Sequence, residues 1–92
     1  MRIAKINEKE YMFRKFDNVY VGLFFNNGDS IMFDDVGTVF IDSIIKYPNC
    51  EKALEYALKF FDNTEQYDVA TDFEDFLNEL LKLNAIEIEE IL

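Results

Sequence analysis

The stretch that decides the fold is Asn27-Gly28-Asp29-Ser30-Ile31-Met32-Phe33, "NGDSIMF". It begins with Asn-Gly, the strongest short signal for a β-hairpin turn, and continues as a short apolar strand. Helical sequence follows at once. A strand that comes last in a small sheet keeps one row of backbone N–H and C=O groups without a partner. We therefore look for function at the outer edge of Ser30 to Phe33.

Two further strands precede this stretch. Glu10 to Phe16, "EYMFRKF", and Val19 to Phe25, "VYVGLFF", are aromatic and β-branched runs, and Asp17-Asn18 between them tolerates the positive φ angles of a hairpin turn. The sequence predicts a three-stranded antiparallel meander. If both turns have two residues, one face collects Tyr11, Phe13, Tyr20, Phe24, Ile31 and Phe33, and the other collects Met12, Arg14, Val19, Val21, Leu23, Phe25 and Met32. Both faces are apolar, so one of them is a candidate contact surface.

Three helices are predicted after the strands. The first begins behind Asp34-Asp35, which can cap it, because apolar residues then recur at helical spacing. The second runs from about Cys50 to Phe61, with Asn49 as its N-cap and Asp62-Asn63-Thr64 as its end. The order is therefore three strands followed by three helices, which is an α+β arrangement.

The third helix starts near Asp68 or near Thr71, both competent caps, and closes at Asn84, which can adopt the left-handed conformation. Its apolar residues are Val69, Phe73, Phe76, Leu77, Leu80, Leu81 and Leu83. They cover roughly 160° of arc, wider than the roughly 100° that one buried face needs. One flank of this helix is expected to face something besides the core.

Length and composition indicate one domain over residues 1–92. Its predicted strands lie at about 10–33, its helices at about 34–84 and a short acidic tail at 85–92. No apolar run approaches the roughly 20 residues of a membrane span, and the N-terminus lacks the apolar core of a secretory signal. We expect a cytoplasmic protein without membrane association. With no His and one Cys, we expect no metal site and no cofactor.

The net charge of −10 is unevenly distributed. Met1 to Lys15 carry five basic and two acidic residues, whereas Phe16 to Leu92 carry four basic and seventeen acidic ones. This surface would repel nucleic acid, and a DNA-binding winged helix is disfavoured because the predicted third helix is itself acidic. The charge either keeps a Phe-rich domain soluble or steers a basic partner.

Enzymatic activity is the least favoured function. Carboxylates at helical spacing are typical of solvated faces, and no residue pattern supplies a nucleophile with an activating base. Cys50 lies near a predicted helix N-terminus, which would lower its pKa, but no His exists to pair with it. We expect a structural or merely exposed thiol and no catalysis.

The two edges of the predicted sheet differ. The first strand carries Arg14 and Lys15, whereas Ser30 to Phe33 contain neither charge nor proline. An extended peptide could pair with this bare strand, with the third helix as a side wall. The predicted contacts are Ser30, Ile31, Met32, Phe33, Asp72, Phe73, Phe76, Glu79, Leu80 and Leu83. Two alternatives remain open: the tail "IEIEEI" pairs there, or two copies form a homodimer through this edge or an exposed sheet face.

Two segments of the chain resemble the PqqD-like domains, also called RiPP recognition elements. Tyr67 to Leu80, "YDVATDFEDFLNEL", is similar to the pattern of their third helix, and Phe33 to Thr38, "FDDVGT", is similar to their strand-to-helix corner. These domains consist of three strands followed by a winged-helix-like unit of three helices, and this element order fits over nearly the whole chain, so the resemblance implies a winged-helix-like α+β fold. The sequence departs from the family at Asn84, where Gly is frequent, and at Asp34 or Asp35, where Asn is common.

The resemblance implies a non-catalytic module that binds the leader of a ribosomally made precursor peptide. Such a module pairs the leader with the third strand against the third helix, and delivers it to a modifying enzyme, often a radical SAM protein. The alternative is a small acidic inhibitor, such as an immunity protein or antitoxin, which size and charge also permit.

Overall fold

The computed structural model describes residues 1–61 and 66–92. Its elements are β1 Arg2–Ile6, β2 Tyr11–Phe16, β3 Val19–Phe24, β4 Ser30–Met32, α1 Asp35–Lys46, α2 Cys50–Leu58, α3 Gln66–Lys82 and β5 Ile86–Glu90. Strands β2, β3 and β4 form an antiparallel sheet in that order. With three helices in the described part of the chain, the predicted α+β class is confirmed.

The first hairpin turn has two residues, as predicted. Phe16 pairs with Val19, and Asp17 between them has a φ of 55°. A short polar side chain tolerates this left-handed conformation better than an apolar one does. The turn therefore joins β2 to β3 in continuous register from Tyr11 and Phe24 onward.

The second turn is longer than a two-residue hairpin. The Phe24 N–H donates to the Asp29 carbonyl at 2.9 Å, so four residues, 25–28, lie between the last paired residues of the two strands. Gly28 has a φ of 73°, and the Asn27 side chain accepts a hydrogen bond from the Asp29 N–H at 2.9 Å. The pairing of β3 with β4 is therefore shifted by two residues from the pairing that a two-residue turn at Asn27-Gly28 would give. Because side chains alternate with a period of two, the predicted sheet faces are unchanged and are confirmed.

The structure confirms three of the predicted helix boundaries. Asp34 caps α1, Asn49 caps α2, and Asn84 takes a φ of 61° after α3. Helix α2 ends at Leu58, earlier than predicted, and the predicted end at 62–64 lies outside the described residues. Both predicted starts of α3 are wrong, because the helix already includes Gln66 and extends through Asp68 and Thr71. A good capping residue inside a helix is tolerated when tertiary packing holds the helix.

A second sheet was missed by the sequence analysis. Strand β1 pairs antiparallel with β5, from Arg2 opposite Glu90 to Ile6 opposite Ile86. The tail therefore does not pair with β4, and that alternative is wrong. Opposite charges explain the choice of partner, since Lys5 of β1 forms an ion pair with Glu89 of β5. Strand β4 has no basic residue to offer the acidic tail.

The core lies between the helices and one face of the β2–β3–β4 sheet. The Tyr11 ring packs edge-on against Phe24 at 4.6 Å between centroids, and Phe40 of α1 packs edge-on against Phe73 of α3 at 5.2 Å. The other sheet face is more open, and its Met32 side chain is 77% exposed. Only one of the two apolar faces is thus covered within the described residues.

Candidate functional site

The outer edge of β4 is open. The Phe33 N–H donates to the Tyr20 carbonyl at 3.0 Å, and the Asp29 carbonyl accepts from Phe24. Backbone groups of an antiparallel strand point alternately to its two sides. Asp29, Ile31 and Phe33 therefore direct their backbone groups toward β3, whereas Ser30 and Met32 direct theirs away from the sheet. In the described structure β4 pairs with β3 alone.

A tight corner connects β4 to α1 beside this edge. The Asp34 side chain accepts a hydrogen bond from the Gly37 N–H at 2.7 Å and so caps the helix. A Cβ atom on Gly37 would lie 3.3 Å from Cε1 of Phe76. The small residue at this position lets the start of α1 approach α3 closely, and this places the two helices on either side of a groove.

The groove has a volume of about 240 Å³. Its apolar lining residues are Val36, Gly37, Phe40 and Phe76, and its polar ones are Asp34, Asp72, Asp75 and Glu79. The apolar residues come from the first turns of α1 and the middle of α3. The four polar ones are all exposed carboxylates. The result is an apolar floor with an acidic rim.

Aromatic rings connect the strand edge to the groove. The Phe33 ring, directly after β4, lies 5.8 Å from Phe76 and 5.9 Å from Phe13, measured between centroids. Phe76 also lies 5.4 Å from Phe40. These distances are within the range of favourable aromatic pairs. Phe33 and Phe76 therefore form one continuous wall between the bare edge and the floor of the groove.

The helical wheel of α3 separates its core face from its groove face. At 100° per residue, Phe73, Leu77 and Leu80 fall within about 60° of one another, and all are buried. Phe76, Asp72 and Glu79 occupy the next 60° or so. The wide apolar arc seen in the sequence thus includes a core stripe and this flank. Within α3 the flank carries Phe76, and Leu83 falls at a similar angle just after the helix ends at Lys82.

Glu74 lies on the side of α3 away from the groove. Its carboxylate accepts two hydrogen bonds from Arg2 of β1, at 2.7 and 2.9 Å, and Arg2 also donates to Glu51 of α2 at 3.0 Å. The hydrogen bonds from Arg2 lower the pKa of Glu74 below its ordinary value. One arginine therefore holds β1, α2 and α3 together.

Seven of the ten predicted contact residues lie at the edge or line the groove. Ser30, Ile31, Met32 and Phe33 form the edge, and Asp72, Phe76 and Glu79 line the groove. Leu83 is half-buried against the core at the end of α3. Phe73 and Leu80 are only 0% and 1% exposed, so their side chains belong to the core. Their contact with a partner has no support in this arrangement.

Sequence reasoning missed five groove residues: Asp34, Val36, Gly37, Phe40 and Asp75. Three of them lie in the "FDDVGT" segment. The sequence predicted a helix start in this segment and a resemblance to the family, but not that its residues line a groove. The contact between Gly37 and Phe76 joins residues 39 positions apart, which local patterns do not encode. The available signal was the small residue in the first turn of an otherwise apolar helix.

A larger cavity, of about 350 Å³, lies at the other edge of the sheet. It is lined by Ile6, Glu8, Tyr11, Met12, Phe13, Phe25 and Ile45. The adjacent strand, β2, carries Arg14 and Lys15, and Lys15 forms an ion pair with Asp42 at 3.2 Å. We place the candidate site at the smaller groove because the bare strand edge lies there.

The structure gives Cys50 a structural position. Its thiol is fully buried at the start of α2, and burial raises its pKa. The expected lowering by the helix N-terminus is therefore outweighed by desolvation. Among residues 1–61 and 66–92, no three His, Cys, Asp or Glu side chains are grouped as metal ligands would be. No helix in the same part of the chain is long and apolar enough to cross a membrane.

Comparison with known proteins identifies a shared fold. No family model and no curated protein sequence matches the chain. One solved structure, "TbiB1 in Complex with the TbiA(beta) Leader Peptide", matches with a TM-score of 0.77 and 20% sequence identity. The match covers 90% of this chain and 94% of the other. The chain therefore has the fold of TbiB1, a protein whose structure was determined with a leader peptide bound.

Proposed function

We propose that this protein is a PqqD-like leader-recognition domain that binds the leader of a ribosomally made precursor peptide by strand addition to β4. The observation that carries the proposal is the bare outer edge of β4 beside the groove of α1 and α3. The shared fold with leader-bound TbiB1 and the resemblance of "YDVATDFEDFLNEL" support the same function. No observation on the described residues favours the acidic inhibitor.

Strand addition alone would give weak binding. The outward groups of Ser30 and Met32 offer about four backbone hydrogen bonds, at about 1 kcal/mol each. A micromolar complex needs about −8 kcal/mol, before the cost of immobilising the peptide. At about 25 cal/mol per Å², burial of about 160 Å² of apolar surface would supply the remaining 4 kcal/mol. In our proposal that surface is the wall formed by Phe33 and Phe76.

Alternation along the added strand divides its side chains between two environments. Side chains on the Ile31 and Phe33 side of the sheet would face the groove, and the others would lie beside Met32 on the open face. Backbone pairing is nearly independent of sequence, so the groove must supply the preference. We assign the peptide contacts to Ser30, Ile31, Met32, Phe33, Asp72, Phe76 and Glu79, with Asp34, Val36 and Asp75 added.

The proposal extends to the partners of the domain. The precursor would be presented to a RiPP-modifying enzyme, for which a radical SAM protein is the first candidate, and the domain itself would carry out no chemistry. A cytoplasmic location is part of the proposal, because precursor peptides are made on ribosomes. Co-purification of the domain with the modifying enzyme encoded beside it, in the presence and absence of precursor, tests this extension.

Amide hydrogen exchange tests strand addition directly. In the free protein the Ser30 and Met32 amides should exchange rapidly, whereas the Ile31 amide, directed toward β3, should be protected. Adding the precursor peptide encoded next to this protein should protect Ser30 and Met32 and leave Ile31 nearly unchanged. If the peptide binds without protecting these two amides, strand addition at β4 is wrong. Protection that rises with protein concentration alone would instead indicate a homodimer through this edge.

A further inference from the structure

The rim of the groove carries charge that the protein itself leaves largely unneutralised. Asp34, Asp72, Asp75 and Glu79 line it, and none of the residues that line the groove is basic. Asp72 and Asp75 form no ion pair within the described residues. Glu79 lies 3.6 Å from Lys82, but both side chains are mostly exposed, so this pair is weak.

The next carboxylate along α3 shows the opposite arrangement. Glu74 lies on the other side of the helix, and its charge is neutralised by a bidentate ion pair with Arg2. Glu74 is thus paired where the helix meets β1, whereas on the groove side Asp72 and Asp75 have no ion pair within the described residues and Glu79 has only its exposed contact with Lys82. The unpaired set surrounds an apolar floor, which by itself favours an apolar side chain.

On this basis, and resting on the function proposed above, we propose that the groove selects a cationic, amphipathic segment of peptide. Its apolar side chain would lie between Val36 and Phe76. Lys or Arg would stand two residues before and after it, because side chains on one side of a strand recur every second residue. Their long aliphatic stems would extend over the apolar floor, and their charged ends would reach the rim carboxylates.

The added specificity should be moderate and sensitive to salt. Partly exposed ion pairs contribute little individually, so two of them would tighten binding by about 5- to 30-fold over a neutral peptide. Exposed charges are screened over about 10 Å at 0.1 M ionic strength. The preference should therefore shrink as salt rises, whereas the contribution of strand pairing should persist.

Three synthetic peptides test the proposal: acetyl-Thr-Lys-Thr-Phe-Thr-Lys-Thr-amide and its counterparts with Gln or Glu in place of both Lys residues. Affinity is measured by titration at low and high salt, with the Ser30 and Met32 amide resonances as the site-specific readout. The Lys peptide should bind about 5- to 30-fold tighter than the Gln peptide, and the Glu peptide weakest. Asp75→Asn and Asp72→Asn should each reduce the Lys preference severalfold. Glu55→Gln on α2, also an exposed carboxylate, should leave it unchanged.

The outcomes separate the two proposals. Equal binding of all three peptides, with the Ser30 and Met32 amides perturbed, would overturn the charge selection and leave strand addition standing. If no peptide perturbs these amides, and the precursor peptide does not either, strand addition fails and the charge selection fails with it. Melting temperatures of the three protein variants, expected to match the unmodified protein, exclude loss of folding as the cause.

Discussion

The outer edges of β4 and β2 belong to the same three-stranded sheet but lie in different surroundings. Beside β4 are an acidic groove and the aromatic wall of Phe33 and Phe76. Strand β2 carries Arg14 and Lys15, and Asn7 accepts a hydrogen bond from its Tyr11 N–H at 2.9 Å. An edge with its own charges and a partial cover resists further strands, whereas a bare edge recruits one. The comparison indicates that a small sheet can keep one edge for binding and block the other.

The largest expected effect comes from removing one outward backbone N–H from the edge of β4. The same change at the edge of β2 is the control. Backbone N–H and C=O groups of successive residues along β2 point alternately toward β3 and away from it. Those of Lys15 point away from the sheet, as those of Met32 do on β4. Met32→Pro should weaken precursor binding tenfold or more, about 1.4 kcal/mol, because it removes a donor and places a ring where the peptide would lie. Lys15→Pro should change binding less than twofold. Isothermal titration calorimetry measures both.

Proline is tolerated where the N–H points out of the sheet, so both variants should keep their fold. Their circular dichroism spectra and melting curves provide the check. Equal loss of binding in the two variants would break the comparison, because it would show that the edges do not differ in function.

The next effect concerns the aromatic residues beside each edge. Phe76→Leu should weaken binding by about three- to tenfold, since it removes part of the apolar wall while keeping most of the side-chain volume. Phe16→Leu, at an exposed position on β2, should have little effect. Fluorescence anisotropy with a labelled precursor peptide measures the difference. A larger loss with Phe16→Leu would place the binding surface at the β2 edge instead.

A smaller effect concerns how firmly α3 is held beside β4. The folded state lowers the pKa of Glu74 through its hydrogen bonds with Arg2. The resulting stabilisation is full above the unfolded pKa, near 4.5, and is lost as pH falls through the lower folded value. Both side chains are partly exposed, so the loss should be about 1 kcal/mol or less. Urea unfolding between pH 7 and pH 3 measures it.

Arg2→Gln should reduce this pH dependence, because Glu74 then titrates almost as it does in the unfolded chain. Lys82→Gln is the matched control, since its pair with Glu79 is a mostly exposed contact within one helix. If Arg2→Gln leaves the pH dependence intact, the contact between β1 and α3 does not position the wall of the groove.

The smallest expected effect is that of Tyr11→Phe on β2. The Tyr11 hydroxyl is buried over Gly22 and has no hydrogen-bond partner among the described residues, and burial raises its pKa to about 12. Removing an unsatisfied buried hydroxyl should change the free energy of unfolding by less than about 1 kcal/mol, with stabilisation the expected direction. Precursor binding at β4 should not change. A large destabilisation would reveal a partner for this hydroxyl and a more extensive network at the β2 side.

Much of the fold could be read from local sequence. Asp17-Asn18 and Asn27-Gly28 mark the two turns, Asp34 and Asn49 mark two helix starts, and Asn84 marks a helix end. These signals act through the φ angles and hydrogen bonds of a few neighbouring residues, so the sequence carries them directly. The prediction of which residues share a face of the sheet was also correct, although the second turn is longer than predicted. The resulting shift in register is two residues, and a shift by an even number leaves each side chain on its face.

The bare edge of β4 was also predictable, since it follows from strand order and from the lack of charge in Ser30 to Met32. The pairing of β1 with β5 was not. Arg2 and Glu90 are 88 positions apart, and "IEIEE" could have paired with either β1 or β4 on pattern alone. Opposite charge across the sheet and burial of Ile86 decided between them.

What the sequence determined by itself is the three strands β2, β3 and β4, the three helices, the caps of α1 and α2, the two faces of that sheet and the strand that would lack a neighbour. Only the tertiary structure decided which flank of α3 is free, because the amphipathic arc was wide enough for more than one packing. The approach of Gly37 to Phe76 brings α1 against α3, buries Phe73 and Leu80, and leaves Phe76 beside the carboxylates of the groove. Such contacts depend on residues far apart in the chain, and their geometry exists only after the chain has packed.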